Sequence, residues 1–321
     1  MKDKLIYYSV GPLLYCPANQ PNITQAIRTE KFGKHFSLAL CLEDTINDSF
    51  LAEAEHALIN SLKELYETAQ AETFYIPKIF IRIRNSIQID RLFSQLGVCE
   101  ELITGIIIPK FSLNTVDNYL ASIDSLNGHV SKPKYIMPIY ESSDIVDKRY
   151  RYDNLYRLKD KLSEVEEIVL NIRVGGNDLC HLFGYRRNRD ESIHDIKPIS
   201  DIFTDIVTVY GLDYIVSGPV WEYYAGEGWD TGLINEIKAD KLCGFTGKTV
   251  IHPNQISIVN EAYKVPLQNY NDARSILSWD PSNPNLVLGS TDGERMNEYK
   301  THRNWAKQTC FLAEYYGTTR Q

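Results

Sequence analysis

Short runs of apolar and β-branched residues alternate along this chain with longer stretches in which apolar residues recur every third or fourth position. Eight runs read as strands: "LLYC" (Leu13 to Cys16), "SLALCL" (Ser37 to Leu42), "IFIRIR" (Ile79 to Arg84), "GIIIP" (Gly105 to Pro109), "YIMPI" (Tyr135 to Ile139), "IVLNIR" (Ile168 to Arg173), "YIVS" (Tyr214 to Ser217) and "TVI" (Thr249 to Ile251). Between the second and third, Ser49 to Ala69 sets Leu51, Ala54, Leu58, Leu62 and Leu65 on one face among Glu and Lys, which predicts an amphipathic helix against a sheet. Strand followed by helix, repeated, is the pattern of successive βα units and a parallel sheet. Eight units close naturally into a barrel, whereas an open doubly wound sheet usually has fewer strands and a Gly-rich phosphate loop after the first. Here the first strand runs into "PANQPN", without glycine. The pattern predicts a TIM (β/α)8 barrel over residues 1–263. Past Tyr263 it breaks into turn residues and short apolar pieces, then "EYKTHRNWAKQTCFLAEYYG" reads as a terminal helix, so 264–321 is expected to be a C-terminal extension.

The length of 321 residues suits such a barrel with an appendage. With 43% hydrophobic and 24% charged residues the composition is that of an ordinary globular chain. No apolar run approaches the roughly 18 residues of a membrane span, and "MKDKLIYYSVGP" lacks the apolar core of a secretory signal, so a cytoplasmic location is expected. A net charge of -8 argues against general nucleic-acid binding, which draws on Lys and Arg. One local exception, "KRYRYDNLYRLK" (Lys148 to Lys159), reads either as a solvated helix start or as a clamp for an anionic ligand. The six cysteines show no paired spacing and are expected to be reduced thiols, not zinc ligands.

In an α/β barrel the chemistry sits at the C-terminal ends of the strands. The polar residues there are Pro17 and Asn19, then Glu43 and Asp44, Arg82 and Arg84, Lys110, Glu141, Arg173 and Asp178, and His252. Each has a plain alternative: "LED" fits a helix start favoured by the dipole, "IHP" fits a structural His beside a turn, and Glu141 and Asp178 fit caps. Together, four carboxylates, several cations and a His at one rim suggest a hard cation holding an anionic substrate, since oxygen ligands suit Mg²⁺ and Mn²⁺.

In order, "GPLLYCPANQPN", "LALCLEDTI", "IRIRN", "GIIIPK", "MPIYES", "GGNDLCHLFG" and "GFTGKTVIHPNQISIVNEAY" resemble the HpcH/HpaI aldolase and citrate lyase beta-subunit family, from about Leu13 to Tyr263. The resemblance implies a TIM barrel with Mg²⁺ (Mn²⁺ as the alternative ion) and carbon-carbon bond lyase chemistry on a 2-oxo-acid adduct, often a thioester. By position in the motifs it implies Glu141 and Asp178 as metal ligands, Glu43 and Asp44 as the pair that holds metal waters, and Arg82 as the arginine that polarises the substrate carbonyl. "STDGERMNEYKTH" is loosely similar to a C-terminal stretch that completes a neighbouring subunit's site in related lyases; it offers Asp292 or Glu298 as general base and implies a homo-oligomer.

The chain departs from that pattern. Gly11, Pro12 and Gln20 stand where arginines and a serine are usual, which puts an ordinary CoA thioester in question. Extra cations appear instead: Arg84, Arg173, and Arg186 in "YRRNRD", which with Lys110 and His252 form the expected substrate-binding set. Arg forks match carboxylates and phosphates, so a more anionic, even phosphorylated, substrate is expected. These departures are similar to those of a divergent subgroup of TIM-barrel carbon-carbon bond lyases associated with tellurium-resistance and stress-response gene clusters. Two alternatives stay open: a thioesterase or other hydrolase on the same scaffold, and a non-catalytic barrel that binds a metabolite within a biosynthetic complex.

Overall fold

The computed structural model describes residues 2–319. Eight parallel strands, β1 (Pro12–Pro17), β2 (Ser37–Cys41), β3 (Lys78–Arg82), β4 (Ile103–Ile108), β5 (Tyr135–Tyr140), β6 (Ile172–Val174), β7 (Val216–Ser217) and β8 (Lys248–Val250), pair in the order β7-β6-β5-β4-β3-β2-β1-β8. The ends of that order meet: Thr246 N donates to Val216 O at 2.7 Å and Gly218 N to Gly247 O at 3.0 Å, which joins β7 to β8 and completes a TIM barrel. The sixth run is shorter as a strand than its apolar pattern suggests: Glu166–Ile168 is a 3-10 turn, Val169 makes only an isolated parallel bridge to Ile136, and β6 starts at Ile172.

Register explains which side chains look inward. Paired residues of a parallel sheet share a face, and successive residues alternate. Leu13, Ala39, Phe80, Ile107, Met137, Ile139 and Ile215 fill the barrel interior, while Leu14, Leu38, Leu40, Ile79, Ile81 and Ile106 pack outward beneath the helices. The helix Leu51–Ala71 buries Ala54, Leu58, Leu62 and Leu65 against that outer layer, as its spacing predicts. "KRYRYDNLYRLK" also belongs to this layer: it opens the helix Lys148–Ser163, and Lys148, Arg151 and Lys159 are held by Asp201, Asp205 and Asp213. The six cysteines are free thiols.

The N-terminal end of the barrel is closed from within by Tyr7 and Tyr8 and from outside by the last helix, Tyr299–Tyr316. Phe311 stacks on Tyr8 with ring centroids 4.9 Å apart. Gly11, at φ +66°, lies under Tyr315, where a β-carbon would come within 2.4 Å of the phenol oxygen. Gly11 and Pro12 therefore sit at the end opposite the strand C-termini, and their departure from the lyase pattern does not alter the mouth. Before the last helix come Leu267–Leu277 and a hairpin of β9 (Val287–Gly289) and β10 (Met296–Glu298), tied to it by Arg295 on Asp272 at 2.6 Å. Among the described residues no helix is long and apolar enough to cross a membrane.

Candidate active site

At the C-terminal ends of the strands lies a pocket of about 380 Å³ lined by, among others, Tyr15, Arg82, Glu141, Arg173, Asp178 and Arg186. Strand alternation delivers Tyr15, Arg82 and Arg173 to the interior, and Glu141 follows the last residue of β5. Asp178 stands in the first turn of the helix Gly176–Phe183, where a carboxylate also favours the helix dipole.

Arg82 is the hub. Its Nη2 lies 2.8 Å from Glu43 Oε2, 3.0 Å from Asp44 Oδ2 and 3.3 Å from Glu141 Oε1. Lys110 supports the same acids: its Nζ contacts Glu43 and lies 3.0 Å from Asp44 Oδ1, and its backbone N–H donates to Glu141 Oε1 at 3.0 Å. Lys110 adopts φ +46°, a left-handed conformation uncommon outside glycine, and it turns the amide toward Glu141. Glu43 and Asp44 do not start a helix; the next one begins at Leu51, after a 3-10 turn at Asp48–Phe50. The acids at the end of β2 serve the rim and not a dipole.

These contacts set distinct protonation tendencies. Burial and the hydrogen bond with Asp44 push the Glu43 carboxyl up, against Arg82 and Lys110. Burial alone would raise Asp44 as well, but the hydrogen bond with Glu43 and the charges of Arg82 and Lys110 hold it down to about 2. Glu141 is pushed up to about 7 by burial, with Arg82 opposing and the Asp178 charge adding to the rise. A buried carboxylate whose proton affinity is raised by a second carboxylate in the same pocket is suited to sharing a divalent cation with it. Among the described residues no three His, Cys, Asp or Glu side chains converge to ligate a metal. Glu141 and Asp178 do fit Mg²⁺, which commonly takes one or two carboxylates and completes its shell with water and substrate.

Not every residue expected at the rim faces the pocket. Arg84 is spent on the loop after β2, donating to the backbone oxygens of Leu42 (3.2 Å), Glu43 (3.0 Å) and Ile46 (2.6 Å) and pairing with Asp48, so it braces that loop. His252 stacks on Tyr224 with centroids 4.5 Å apart and accepts from Asn254 N at 3.2 Å through Nδ1, an arrangement of the turn at Pro253. Of "YRRNRD", Arg186 reaches the pocket, 3.5 Å from Glu222, while Arg187 is buried against Glu236. Asp292 and Glu298 lie on the hairpin of the extension and do not line the pocket of their own chain. Sequence reasoning missed Tyr15, Thr249, Glu222 and Gly175; the first two were open to the same alternation that places Arg82 and Arg173 inward.

The chain belongs to the family described as C-C bond lyase of the TIM-barrel fold, whose model matches residues 4–318. No curated protein sequence matches it. Among solved structures, it is similar to the protein CitE from Mycobacterium tuberculosis in complex with magnesium, acetoacetate and coenzyme A, at 16% identity over 97% of this chain and 99% of that one, with a TM-score of 0.63. A citrate lyase from Burkholderia xenovorans LB400 aligns at 12% identity over 97% and 94% of the two chains, TM-score 0.71. RipC from Yersinia pestis aligns at 16% identity over 80% and 95%, TM-score 0.54.

Proposed function

We propose that this protein is a Mg²⁺-dependent carbon-carbon bond lyase acting on an anionic 2-oxo-acid adduct, with Glu141 and Asp178 holding the ion. The observation that carries this reading is the pairing, in one pocket, of these two carboxylates with Arg82, whose buried Nε–H has no partner among the described residues. That free donor suits a substrate oxygen, because a buried N–H without an acceptor is costly. The citrate lyase beta subunit and CitE structures hold magnesium with oxaloacetate, pyruvate or acetoacetate, which agrees with such a site.

When bound, Mg²⁺ supplies Lewis-acid stabilisation of an enolate oxygen. The rest falls to this chain. Arg82 directs positive charge to the oxygen that becomes the oxyanion as the bond beside the hydroxyl-bearing carbon breaks and its electron pair moves into the enolate. Glu43 and Asp44, fixed by Lys110, orient water or substrate hydroxyls at the rim. The hydroxyl proton must leave to a base, and Asp292 or Glu298 of a second copy is the candidate, since both lie outside their own chain's pocket. The barrel then works as a homo-oligomer, and the extension after Tyr263 is its partner surface. A cytoplasmic location fits this chemistry.

Product analysis tests the reading. Lysis yields two fragments with a new carbonyl, hydrolysis of a thioester leaves the carbon skeleton whole, and a metabolite-binding barrel yields neither. Asp178→Ala should abolish both metal binding and lysis; a variant that still cleaves without metal removes the mechanism.

A further inference from the structure

Arg173 is 1% exposed, projects into the barrel from β6 and lines the pocket, yet it makes no ion pair among the described residues. Its polar partners are neutral: Nη2 lies 2.6 Å from Thr249 Oγ1, Nη1 lies 3.3 Å from Asn171 Oδ1, and the Tyr15 hydroxyl is a third partner. A guanidinium has five N–H donors, so these three neutral partners leave part of its capacity, and all of its charge, without a match. Tyr15 stands next to it, between Arg173 and Arg82. The other buried arginines on the barrel's ligand side are balanced: Arg82 by Glu43, Asp44 and Glu141, and Arg187 by Glu236. Burying a cation without a counter-charge is strongly unfavourable unless a ligand supplies one.

Glu141 and Asp178 cannot serve as that counter-charge if they hold a divalent ion. Arg173 also lies deeper. Its backbone pairs in register with Ile139, two residues before Glu141, so its Cα lies roughly 6–7 Å below that of Glu141 along the strands. The geometry points to a second anionic subsite: Arg173, anchored by Thr249 and Asn171, receives an oxyanion group of the substrate, a carboxylate or a phosphate, inside the barrel. The substrate, or the fragment it releases, is then a compact dianion. One acid function lies at the metal and Arg82, and the other points down the barrel, away from any tail that leaves through the mouth. This rests on the lyase reading for the reacting end only.

Calorimetric titration in the presence of Mg²⁺ tests it, using pyruvate as the monoanion, 2-oxoglutarate as the dicarboxylate and phosphoenolpyruvate as the phosphorylated acid. Wild type should bind at least one dianion tenfold or more tighter than pyruvate, and which of the two gains identifies the oxyanion. Arg173→Gln should erase that preference and leave pyruvate affinity within twofold. Thr249→Val, which keeps the charge and removes its anchor, should lose part of the preference and guards against a folding defect in the first variant. Equal affinity of wild type for all three acids, or a parallel loss of pyruvate and dianion binding in Arg173→Gln, overturns the subsite. The two readings fail separately: Mg²⁺-dependent pyruvate binding without a dianion preference sinks only the subsite. Dianion binding that needs Arg173 but not Mg²⁺ sinks only the metal lyase.

Discussion

Gly175 leaves the space that Glu141 fills: a β-carbon at Gly175 would stand 2.3 Å from the Glu141 Cβ and 2.1 Å from its Oε2. The side-chain end could swing aside, but the Cβ could not without moving the end of β5. Gly175→Ala should therefore fold and yet weaken Mg²⁺ binding about tenfold or more, a cost of roughly 1.4 kcal/mol per factor of ten. Titration with Mg²⁺ reads this directly, and unchanged affinity would show that Glu141 does not need its present position.

Removing the hub should split binding from turnover. Arg82→Gln takes a cation away from Glu43, Asp44 and Glu141, so the metal should bind at least as tightly as in wild type. Turnover should fall by about 100-fold to 1,000-fold, the usual loss for one oxyanion donor. Steady-state kinetics alongside metal titration checks the pair; a matching fall in both would mean that Arg82 only holds the site together.

A buried charge network behind the site makes a stability prediction. Lys248 Nζ lies 3.0 Å from Glu236 Oε1 and 2.7 Å from Asp240 Oδ2, with all three side chains fully buried. Lys248→Met removes the cation that the two acids share, leaving Glu236 with Arg187 and Asp240 with His194 alone, and should destabilise the fold by about 3–5 kcal/mol. Urea unfolding of the variant measures it, and adding Glu236→Gln should recover part of the loss.

The same network reaches His194, whose Nε2 lies 2.8 Å from Asp240 Oδ1. Burial alone would lower the imidazole, but the hydrogen bonds with Asp240 and Cys243 raise it from 6.5 to about 9. A raised folded-state value contributes stability that is complete below about pH 6.5 and is lost as the pH climbs through about 9. The contribution is of order 2–3 kcal/mol. Stability measured across that window should fall with pH in wild type and run flatter in His194→Gln; parallel slopes would contradict the assignment.

Much of this was open to sequence reasoning because barrel strands obey a simple parity. In "IFIRIR" and "VLNIR" an arginine stands where an apolar inward residue is due, and that break in the pattern is enough to single out Arg82 and Arg173. Parity fails once the strand ends. Arg84 continues the alternation, yet beyond Arg82 the chain is loop, and the backbone carbonyls of Leu42, Glu43 and Ile46 capture its guanidinium. Likewise His252 is taken by its own turn. The Arg187, Glu236, Lys248, Asp240 and His194 network was invisible for another reason. Its members sit on a loop, a helix and a strand far apart in sequence, and only packing of Trp229–Cys243 over β8 brings them together. The placement of the extension at the N-terminal end was equally hidden, since it depends on Phe311 meeting Tyr8 and Tyr315 meeting Gly11.

The most direct test is calorimetric titration of wild type and Glu141→Gln with Mg²⁺ and pyruvate together. If Glu141 and Asp178 hold the ion that presents a 2-oxo acid to Arg82, wild type binds the two ligands cooperatively and Glu141→Gln binds neither. Equal binding by both proteins, or none by wild type, would mean that this barrel does not perform metal-dependent lyase chemistry through these residues.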